Sequence, residues 1–516
     1  MSRSAEPVYV ACDAGTTLVK AGVVDERGRI LASAGVPSRL STPRPGIVEQ
    51  DLLEIERQAH EAIGRAVAES GRAADIAGVS FSSQMAGIGA VGQDFEPVAP
   101  FDSWLDSRCA VDILELSDAA AEITRISGGP PTYSHGTKQR WMKRERPEAY
   151  RRTAAFQIPA SFLAARLAGL PASEAHIDAS NLGFTNLADT QARRWSPELL
   201  ELLGLDEELL PRIVEPTELI GEVDARGSAA TGIPVGTPIA AGGGDQPVGS
   251  LGAGIVEPGQ ASDSAGTASL LLMALDRWAP DTERMSLVTG PSIVPGQYVS
   301  FAYINGGGLG TEWLRREVLQ HPGSSEEAFA ELEALAAAAP LGSGGLLWLP
   351  HFQGGVTPAR PHLRSGWVGL TAGHGRGHLY RAILEGIAFQ YAEWADRAPA
   401  TTGRPLSEVR AMGGGSRSEL SIRIKADVLG VPFVRMPKAE TALLGGALIA
   451  QAATGRITDL GAEAASRHDL PAATRPDPAR HARYRELRSI FDELAESADP
   501  VFRRLQRFSE HDEHDD

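Results

Sequence analysis

Two Gly-Thr turns constrain the fold of this chain more than any other feature. One lies in residues 10–17 and the other in residues 263–269. In each, an apolar strand leads into a turn of small residues, and a second apolar strand follows. Such a hairpin presents backbone N–H groups and a hydroxyl at its turn, which suits phosphate oxygens. Two hairpins of this kind, one opening each half of the chain, predict two related domains that hold one polyphosphate, as in an ATP-dependent phosphotransferase.

The hydrophobic pattern predicts an α/β fold. In the first half, strands are expected at 8–13, 18–25, 30–35, 76–82 and 88–91, a helix at 51–69, and mostly helix over 110–230. The second half repeats this plan with strands at 268–275 and 298–304 and helices through Trp313, over 378–394 and from 418 to 430. Glycines and a proline predict a domain boundary near residues 250–260. We expect domains at 1–253 and 254–480, followed by a C-terminal helix and acidic tail at 481–516.

Composition excludes several classes of function. A chain of 516 residues exceeds what one core usually serves, so two domains are expected. The formal net charge of −17 argues against nucleic acid or an anionic membrane as a partner. Only Cys12 and Cys109 are present, and no apolar run reaches the ~18 residues of a membrane span. These features predict a cytoplasmic protein.

Asp13 stands at the end of the first strand, three residues before Thr16. A carboxylate beside a phosphate-binding turn is repelled by the phosphates unless Mg²⁺ lies between them. Asp13 is therefore predicted to hold Mg²⁺, and Lys20 could add positive charge nearby. The alternative is an aspartate that merely stabilises the turn.

Asp245 follows an apolar strand at 238–241 and a run of glycines at 242–244. Glycines let the backbone pass close to a ligand, and Asp245 is then presented at the strand end. Phosphoryl transfer to an alcohol needs a group that orients the hydroxyl and accepts its proton. Asp245 is the candidate; an ordinary turn-forming aspartate is the alternative.

Two further glycine runs could approach a nucleotide. Residues 413–416 precede a helix start at Ser418 and could pass under an adenine or ribose. Residues 305–308, which include Gly307, are a second such run. Glycine-rich turns between a strand and a helix are common, so neither run identifies a site without the other motifs.

The segment 102–108 contains Trp104, Asp106 and Arg108. An aromatic plane beside a carboxylate and a guanidinium suits a sugar, because the ring stacks while the charged groups bind hydroxyls. Gln84, in a polar turn after the strand at 76–82, could add a contact. A structural salt bridge between Asp106 and Arg108 is the alternative.

Together these motifs resemble the FGGY carbohydrate kinases, within the actin/hexokinase/Hsp70-like superfamily. Residues 365–370 and 378–385 fit the family's C-terminal signature at every constrained position. The N-terminal signature is matched in part, with departures at His135 and Gln139. The similarity covers about residues 8–460 and implies two actin-like (ribonuclease H-like) domains with an active-site cleft between them.

The resemblance also implies roles for the residues noted above. Asp245 would be the catalytic base, and Asp13 with Asp245 would hold Mg²⁺. Residues at the nucleotide ATP would be Gly15, Thr16, Thr17, Lys20, Gly266, Thr267, Gly307, Gly413, Gly414, Gly415 and Ser416. Residues at the sugar or polyol substrate would be Gln84, Met85, Trp104, Asp106, Asp245 and Gln246. A homodimer is the family's usual assembly.

Substrate choice follows from a comparison within the family. Residues 46–51, 83–85, 104–108 and 426–432 are most similar to xylulokinases, but Ala86 stands where those enzymes usually carry His, and Gln246 where they carry Asn. Glycerol kinases share Asp-Gln at 245–246 but carry Gln-Arg-Glu at the turn formed here by 84–86. D-xylulose is thus the first expectation, with ribulose, glycerol or erythritol as alternatives. A non-catalytic sugar-binding protein and an ATPase without a small-molecule acceptor are further alternatives on this fold.

Overall fold

The computed structural model describes residues 6–266, 268–437 and 440–512 and alternates strands with helices. The strands are β1 (Val8–Ala14), β2 (Leu18–Asp25), β3 (Ile30–Pro37), β4 (Glu49–Gln50), β5 (Ile76–Ser83), β6 (Gly89–Val91), β7 (Phe101–Asp102), β8 (Ala155–Gln157), β9 (His176–Asp178), β10 (Ala188–Asp189), β11 (Arg194–Trp195), β12 (Arg212–Val214), β13 (Leu219–Glu222), β14 (Pro238–Gly244), β15 (Gln260–Ala265), β16 (Ser269–Leu275), β17 (Val288–Pro291), β18 (Tyr298–Ile304), β19 (Leu347–Leu349), β20 (Gly366–Val368), β21 (Glu408–Met412) and β22 (Phe433–Arg435).

The helices pack against these strands or lie in the connections between them. They are α1 (Leu52–Ser70), α2 (Ala110–Glu115), α3 (Ala120–Ser127), α4 (His135–Glu145), α5 (Pro147–Arg152), α6 (Pro159–Ala168), α7 (Pro197–Leu203), α8 (Ala225–Thr231), α9 (Asp245–Gly252), α10 (Gly308–Trp313), α11 (Ser325–Ala338), α12 (Arg376–Ala395), α13 (Ala398–Thr402), α14 (Glu419–Leu429), α15 (Thr441–Ala453), α16 (Leu460–Ser466) and α17 (Pro478–Asp512). Of the helices described, none is long and apolar enough to cross a membrane.

The chain forms two compact units. Unit 1 comprises Met1–Glu257, Ala274–Ser300 and Glu440–Asp469, and unit 2 comprises Pro258–Met273, Phe301–Ala439 and Leu470–Asp516. The sequence predicts a single domain boundary, at 253/254. In the structure, the segment 440–469 belongs to unit 1 although it lies far beyond that boundary in the sequence. The reason is packing: α15 lies against α9 and against β1 of the first sheet.

Unit 1 is built on a sheet with the order β13-β14-β5-β1-β2-β3. Strands β1 and β2 form the predicted antiparallel hairpin, while β1, β5 and β14 run parallel to one another. The carboxyl ends of β1, β5 and β14 therefore meet at one edge, where α/β proteins bind ligands. Asp13 of β1 and Gly243 of β14 both lie in register with Ser82 of β5.

The helix α1 shows how the sequence sets an element of unit 1. Asp51 caps its start by accepting a hydrogen bond from the Leu53 backbone, and Gly71 closes it in the left-handed conformation. Its apolar residues recur at helical spacing and are buried in the core under the sheet with Val10 and Val79. The expected bounds of 51–69 differ from the observed ones by one residue at each end.

The expectation of mostly helix over residues 110–230 is wrong in part. Strands β8 to β13 lie within this stretch, between short helices. Several are only two or three residues long, such as β9 (His176–Asp178), so they carry no alternation that a sequence pattern could reveal.

In unit 2, the strands β16, β15, β21 and β22 lie side by side in that order. The pair β15–β16 is the second predicted hairpin and is antiparallel, whereas β15–β21 and β21–β22 are parallel. Helices α12 and α14 agree with the expected positions. Ser418 caps α14 by accepting a hydrogen bond from the Ser421 backbone, and Gly430 ends it.

Candidate active site

Two predicted carboxylates lie at the carboxyl edge of the unit 1 sheet. Asp13 is near the end of β1, and the Ser82 hydroxyl of β5 donates to its Oδ1 atom at 2.7 Å. Asp245 is the first residue of α9, directly after β14. The charge of Asp13 is close enough to Asp245 to raise the pKa of that carboxyl. The fold thus brings together two residues that are 232 positions apart in the sequence.

The strand before Asp245 extends beyond its expected end at residue 241. Residues 242–244 belong to β14 itself. Gly242 has a φ of +80°, and a Cβ there would lie 1.9 Å from the Phe81 carbonyl oxygen. A Cβ on Gly244 would lie 2.5 Å from the Met85 sulfur. The glycines therefore let β14 approach β5 closely and let Met85 pack beside the strand end that carries Asp245.

Desolvation and the neighbouring charge of Asp13 together raise the pKa of Asp245 to about 7. Hydrogen bonds from the Gln246 side chain and backbone lower the pKa and hold the carboxylate in place. Desolvation also raises the pKa of Asp13, which the Ser82 hydroxyl and Lys20 oppose. A carboxylate with a pKa near neutrality is suited to accept a proton from an alcohol.

A polar network links the first Gly-Thr turn to the turn at 83–87. The Trp104 indole donates to the Thr16 hydroxyl at 2.8 Å, and that hydroxyl donates to Gln84 Oε1 at 3.4 Å. Gln84 Nε2 in turn donates to Gln50 Oε1 at 2.7 Å. The Gln84 backbone donates to the Ala14 carbonyl at 3.1 Å. The structure therefore groups Thr16, a predicted phosphate residue, with predicted substrate residues.

Gln50 is a member of this network that the sequence reasoning did not assign to the site. It lies in the two-residue strand β4, and its Nε2 also donates to the Ser38 hydroxyl at 2.8 Å. Its only sequence signal is its position within residues 46–51, which resemble the family.

Asp106 and Arg108 form a structural ion-pair cluster. Arg108 contacts Asp106 at 2.8 Å, Asp102 at 2.6 Å and Glu49 at 2.8 Å. Asp106 also accepts a hydrogen bond from the Val48 backbone at 2.8 Å, and its side chain is only 2% exposed. The cluster therefore fixes the loop that carries Trp104. A substrate contact by Asp106 stays a prediction.

Lys20 is directly opposite Asp13 in the β1–β2 hairpin. Its Nζ atom pairs with Glu440 at 2.9 Å, within the same unit. The positive charge expected beside the phosphates is therefore shared with a carboxylate 420 residues away, which no local sequence pattern reveals. Gly15 and Thr17 lie in the same hairpin turn as Thr16.

Unit 2 has a pocket of about 710 Å³ that brings together four predicted nucleotide residues. These are Gly266, Gly307, Gly414 and Gly415. The pocket has an apolar wall formed by Phe329, Tyr380, Leu384 and Ile387. Ser416 lies outside the lining, and its hydroxyl donates to the Gly413 carbonyl at 2.7 Å. Thr267 lies outside the described residues.

The two-domain α/β fold is that of the actin-like (ribonuclease H-like) sugar kinases. Residues 8–252 match the family model for the N-terminal domain of the FGGY family of carbohydrate kinases. Residues 261–454 match the model for the C-terminal domain of the same family. The chain belongs to the FGGY family of carbohydrate kinases. It is accordingly an ATP-dependent sugar kinase, as the resemblance in the sequence had implied.

Relatives of two substrate classes are similar to this chain. A glycerol kinase of Trichlorobacter lovleyi is 34% identical over 466 residues, which are 87% of this chain and 90% of that protein. A xylulose kinase of Bacillus subtilis is 27% identical over 463 residues, which are 87% and 89% of the two chains. The solved xylulose kinase from Rhodospirillum rubrum has a TM-score of 0.83 at 27% identity, covering 96% of this chain and 99% of that one.

Proposed function

We propose that this kinase transfers the γ-phosphoryl group of ATP to a hydroxyl of a ketopentose, with D-xylulose as the first candidate. The observation that carries the proposal is Asp245. It stands at the carboxyl edge of the unit 1 sheet, with a pKa raised to about 7, on a strand end against which Met85 packs. A base beside the acceptor-side turn supports transfer to an alcohol.

Asp245 would align the acceptor hydroxyl and take its proton as the phosphoryl group transfers. Gln246 supports this role because its hydrogen bonds keep the carboxylate oriented. Gln84 and Met85 would contact the acceptor. The Trp104 indole would form one side of the acceptor site and keep its hydrogen bond to Thr16.

The same site would bind Mg²⁺ through its two carboxylates. Among the described residues no group of three or more His, Cys, Asp or Glu side chains could hold a metal ion. Mg²⁺ in kinases uses one or two carboxylates together with phosphate oxygens and water, so Asp13 and Asp245 fit it. Burial raises the pKa of both carboxyls, and a cation bound beside them would favour their charged forms. When bound, the ion would neutralise charge on the transferring phosphates.

The nucleotide would occupy the unit 2 pocket. Its glycines, Gly266, Gly307, Gly414 and Gly415, have no side chains and so let phosphate and ribose oxygens approach the backbone closely. The apolar wall that includes Phe329 and Tyr380 suits the faces of an adenine base.

Glycerol is the second candidate acceptor. The 34% identity to the Trichlorobacter lovleyi glycerol kinase favours it, as does Gln246. The turn at 84–86 favours a ketopentose, because Met85 and Ala86 offer no side-chain hydrogen bonds of the kind that Arg and Glu would give to glycerol.

The test is acceptor-dependent ADP release with Mg-ATP across D-xylulose, L-xylulose, D-ribulose, L-ribulose, glycerol, erythritol and D-arabitol. D-xylulose is expected to give the highest kcat/KM, and Asp245→Ala to lower turnover by at least ~10²-fold while nucleotide binding persists. A glycerol kcat/KM tenfold above that of D-xylulose would replace the first candidate by the second. Full turnover in Asp245→Ala would remove Asp245 as the base. Acceptor binding without any ADP release would support a sugar-binding protein instead.

A further inference from the structure

A buried ion pair lies in the sheet of unit 2, directly before the second Gly-Thr turn. Asp263 is in the middle of β15, in register with Leu271 of β16 and Ala411 of β21. Lys425 of α14 pairs with it at 2.6 Å between Nζ and Oδ2. The side chains are only 4% and 2% exposed for Lys425 and Asp263. The pair thus joins the centre of the sheet to a helix that packs on it.

Hydrogen bonds extend this pair to both strands of the hairpin. The Tyr391 hydroxyl donates to Asp263 Oδ1 at 2.8 Å, and Lys425 Nζ lies 4.5 Å from the centroid of the Tyr391 ring. Tyr391 also hydrogen-bonds the Ser269 side chain, which begins β16. A Cβ on Gly307 would lie 1.9 Å from Ser269 Oγ, so the loop before α10 rests on Ser269. We call these four side chains, Lys425, Asp263, Tyr391 and Ser269, the hairpin clamp.

Stability alone does not account for the hairpin clamp. The hydration energy that a buried ion pair loses can equal or exceed what it gains in attraction, and apolar residues of similar volume are often at least as stable. Ser269 of the clamp lines the nucleotide pocket, and so do the neighbouring Gly266 and Gly307. Lys425 lines the same pocket. The clamp therefore fixes the residues at the pocket floor relative to one another.

We propose that Lys425 is a positioning residue for the nucleotide. Acting through Asp263 and Tyr391, it holds Gly266, which follows β15, and the Gly307 loop in the arrangement that receives the phosphates of ATP. This inference rests on the proposed nucleotide pocket of unit 2.

The chain offers a matched control for the test. Tyr484 donates to the buried Glu385 at 2.7 Å, and Glu385 pairs with Arg381 at 2.8 Å. This second cluster has the same chemistry as the hairpin clamp, yet none of its three residues is among the described residues that line the pocket. Tyr391→Phe and Tyr484→Phe thus each remove one hydroxyl from a buried ion-pair network. Of these two networks, the hairpin clamp reaches the pocket, through Ser269 and Lys425.

The measurement is the Kd of the non-hydrolysable analogue AMP-PNP by calorimetry, with Tm recorded for each variant. Both substitutions are expected to lower Tm by similar amounts. Tyr391→Phe is expected to weaken AMP-PNP binding about tenfold, and Tyr484→Phe to leave it within about twofold. An unchanged Kd in Tyr391→Phe alongside a lowered Tm would overturn the inference, since the clamp would then be structural only.

A second pair of variants tests the charge itself. Lys425→Met leaves Asp263 buried without its partner, so Tm should fall strongly. Adding Asp263→Asn should restore much of that Tm while AMP-PNP binding stays weak. A double variant with wild-type affinity would overturn the role of Lys425. If Lys425→Met does not fold, the AMP-PNP Kd of the double variant, compared with that of the wild type, still tests the role of Lys425.

A further variant separates this inference from the proposed pocket. A Cβ on Gly415 would lie 2.6 Å from the Ala265 side chain, so Gly415→Val should obstruct the pocket. If Gly415→Val leaves the Kd unchanged, AMP-PNP binds elsewhere and both the pocket and the inference fall. If Gly415→Val abolishes binding and Tyr391→Phe does not affect it, only the inference falls.

Discussion

Asp13 shows how a single residue depends on its neighbours at the carboxyl edge of the unit 1 sheet. Its carboxylate accepts from Ser82 and faces Lys20, yet desolvation still raises its pKa. Lys20 cannot neutralise it fully, because Lys20 is itself paired with Glu440. A cation bound with the nucleotide would supply the missing positive charge.

Asp13→Asn should therefore weaken the response to magnesium. Loss of one carboxylate is expected to raise the Mg²⁺ concentration for half-maximal activity about tenfold, which is measured by titrating Mg²⁺ at saturating ATP. Asp75→Asn is a control, because Asp75 pairs with Arg72 well outside the site. An identical Mg²⁺ midpoint in Asp13→Asn and wild type would count against the role of Asp13.

The burial of His135 makes the stability of the protein depend on pH. It is fully buried at the start of α4, and desolvation lowers its pKa from 6.5 to about 3. Below pH 6.5 the unfolded chain therefore binds a proton that the folded chain does not, so the free energy of unfolding falls as pH falls from 6.5 towards 3. The loss is about 1.4 kcal/mol per pH unit at most.

His135→Asn should remove this contribution, because an amide can keep the hydrogen bond that the ring makes to the Gly87 backbone and does not titrate. Urea unfolding of both proteins from pH 6.5 to 4.5 measures the difference. The variant is expected to lose less stability per pH unit by about 1 kcal/mol. Equal slopes would show that His135 titrates normally in the folded protein.

At the scale of elements, α9 and α15 cross with their backbones in close contact. A Cβ on Gly445 of α15 would lie 1.9 Å from the Val248 carbonyl oxygen of α9. In return, a Cβ on Gly252 would lie 1.9 Å from the Thr441 carbonyl oxygen. Because α9 begins with Asp245, this crossing also supports the candidate base.

Gly445→Ala should destabilise unit 1 by about 2 kcal/mol or more, since one of the two helices must move. Gly64→Ala is the matched control: it lies in α1, and its Cβ would lie 3.7 Å from the nearest atom. That change should be neutral or slightly stabilising, because alanine favours helix. Calorimetry measures the Tm of both variants. If Gly445→Ala had the same Tm as Gly64→Ala, the close approach of α9 and α15 would be refuted.

Elements with a strong local pattern could be predicted, and those set by distant contacts could not. The apolar period of α1 and the capping residues of α14 indicate both helices directly. The sequence pattern predicts that the strand before Asp245 ends at residue 241, whereas β14 also includes the three glycines that follow. Only the approach of Phe81 and Met85 explains why glycines extend this strand, and those contacts are not visible in the sequence around 242–244.

At the scale of the whole molecule, the duplicated hairpins predicted two α/β domains and most of the candidate residues within each. They could not predict that residues 440–469 join unit 1. Nor could they predict the pair of Lys20 with Glu440, or that of Asp263 with Lys425, because each joins positions more than a hundred residues apart. Such contacts depend on the folded path of the chain.

The return of α15 to unit 1 has a consequence for biosynthesis. Tyr9 and Val24 of the first sheet are buried against Leu444, Ala447 and Ala450 of this helix. A ribosome makes the sheet early and the helix late, after most of unit 2. The nascent chain must therefore carry an uncovered apolar sheet face through most of its synthesis, which makes this face the natural place for a chaperone to act.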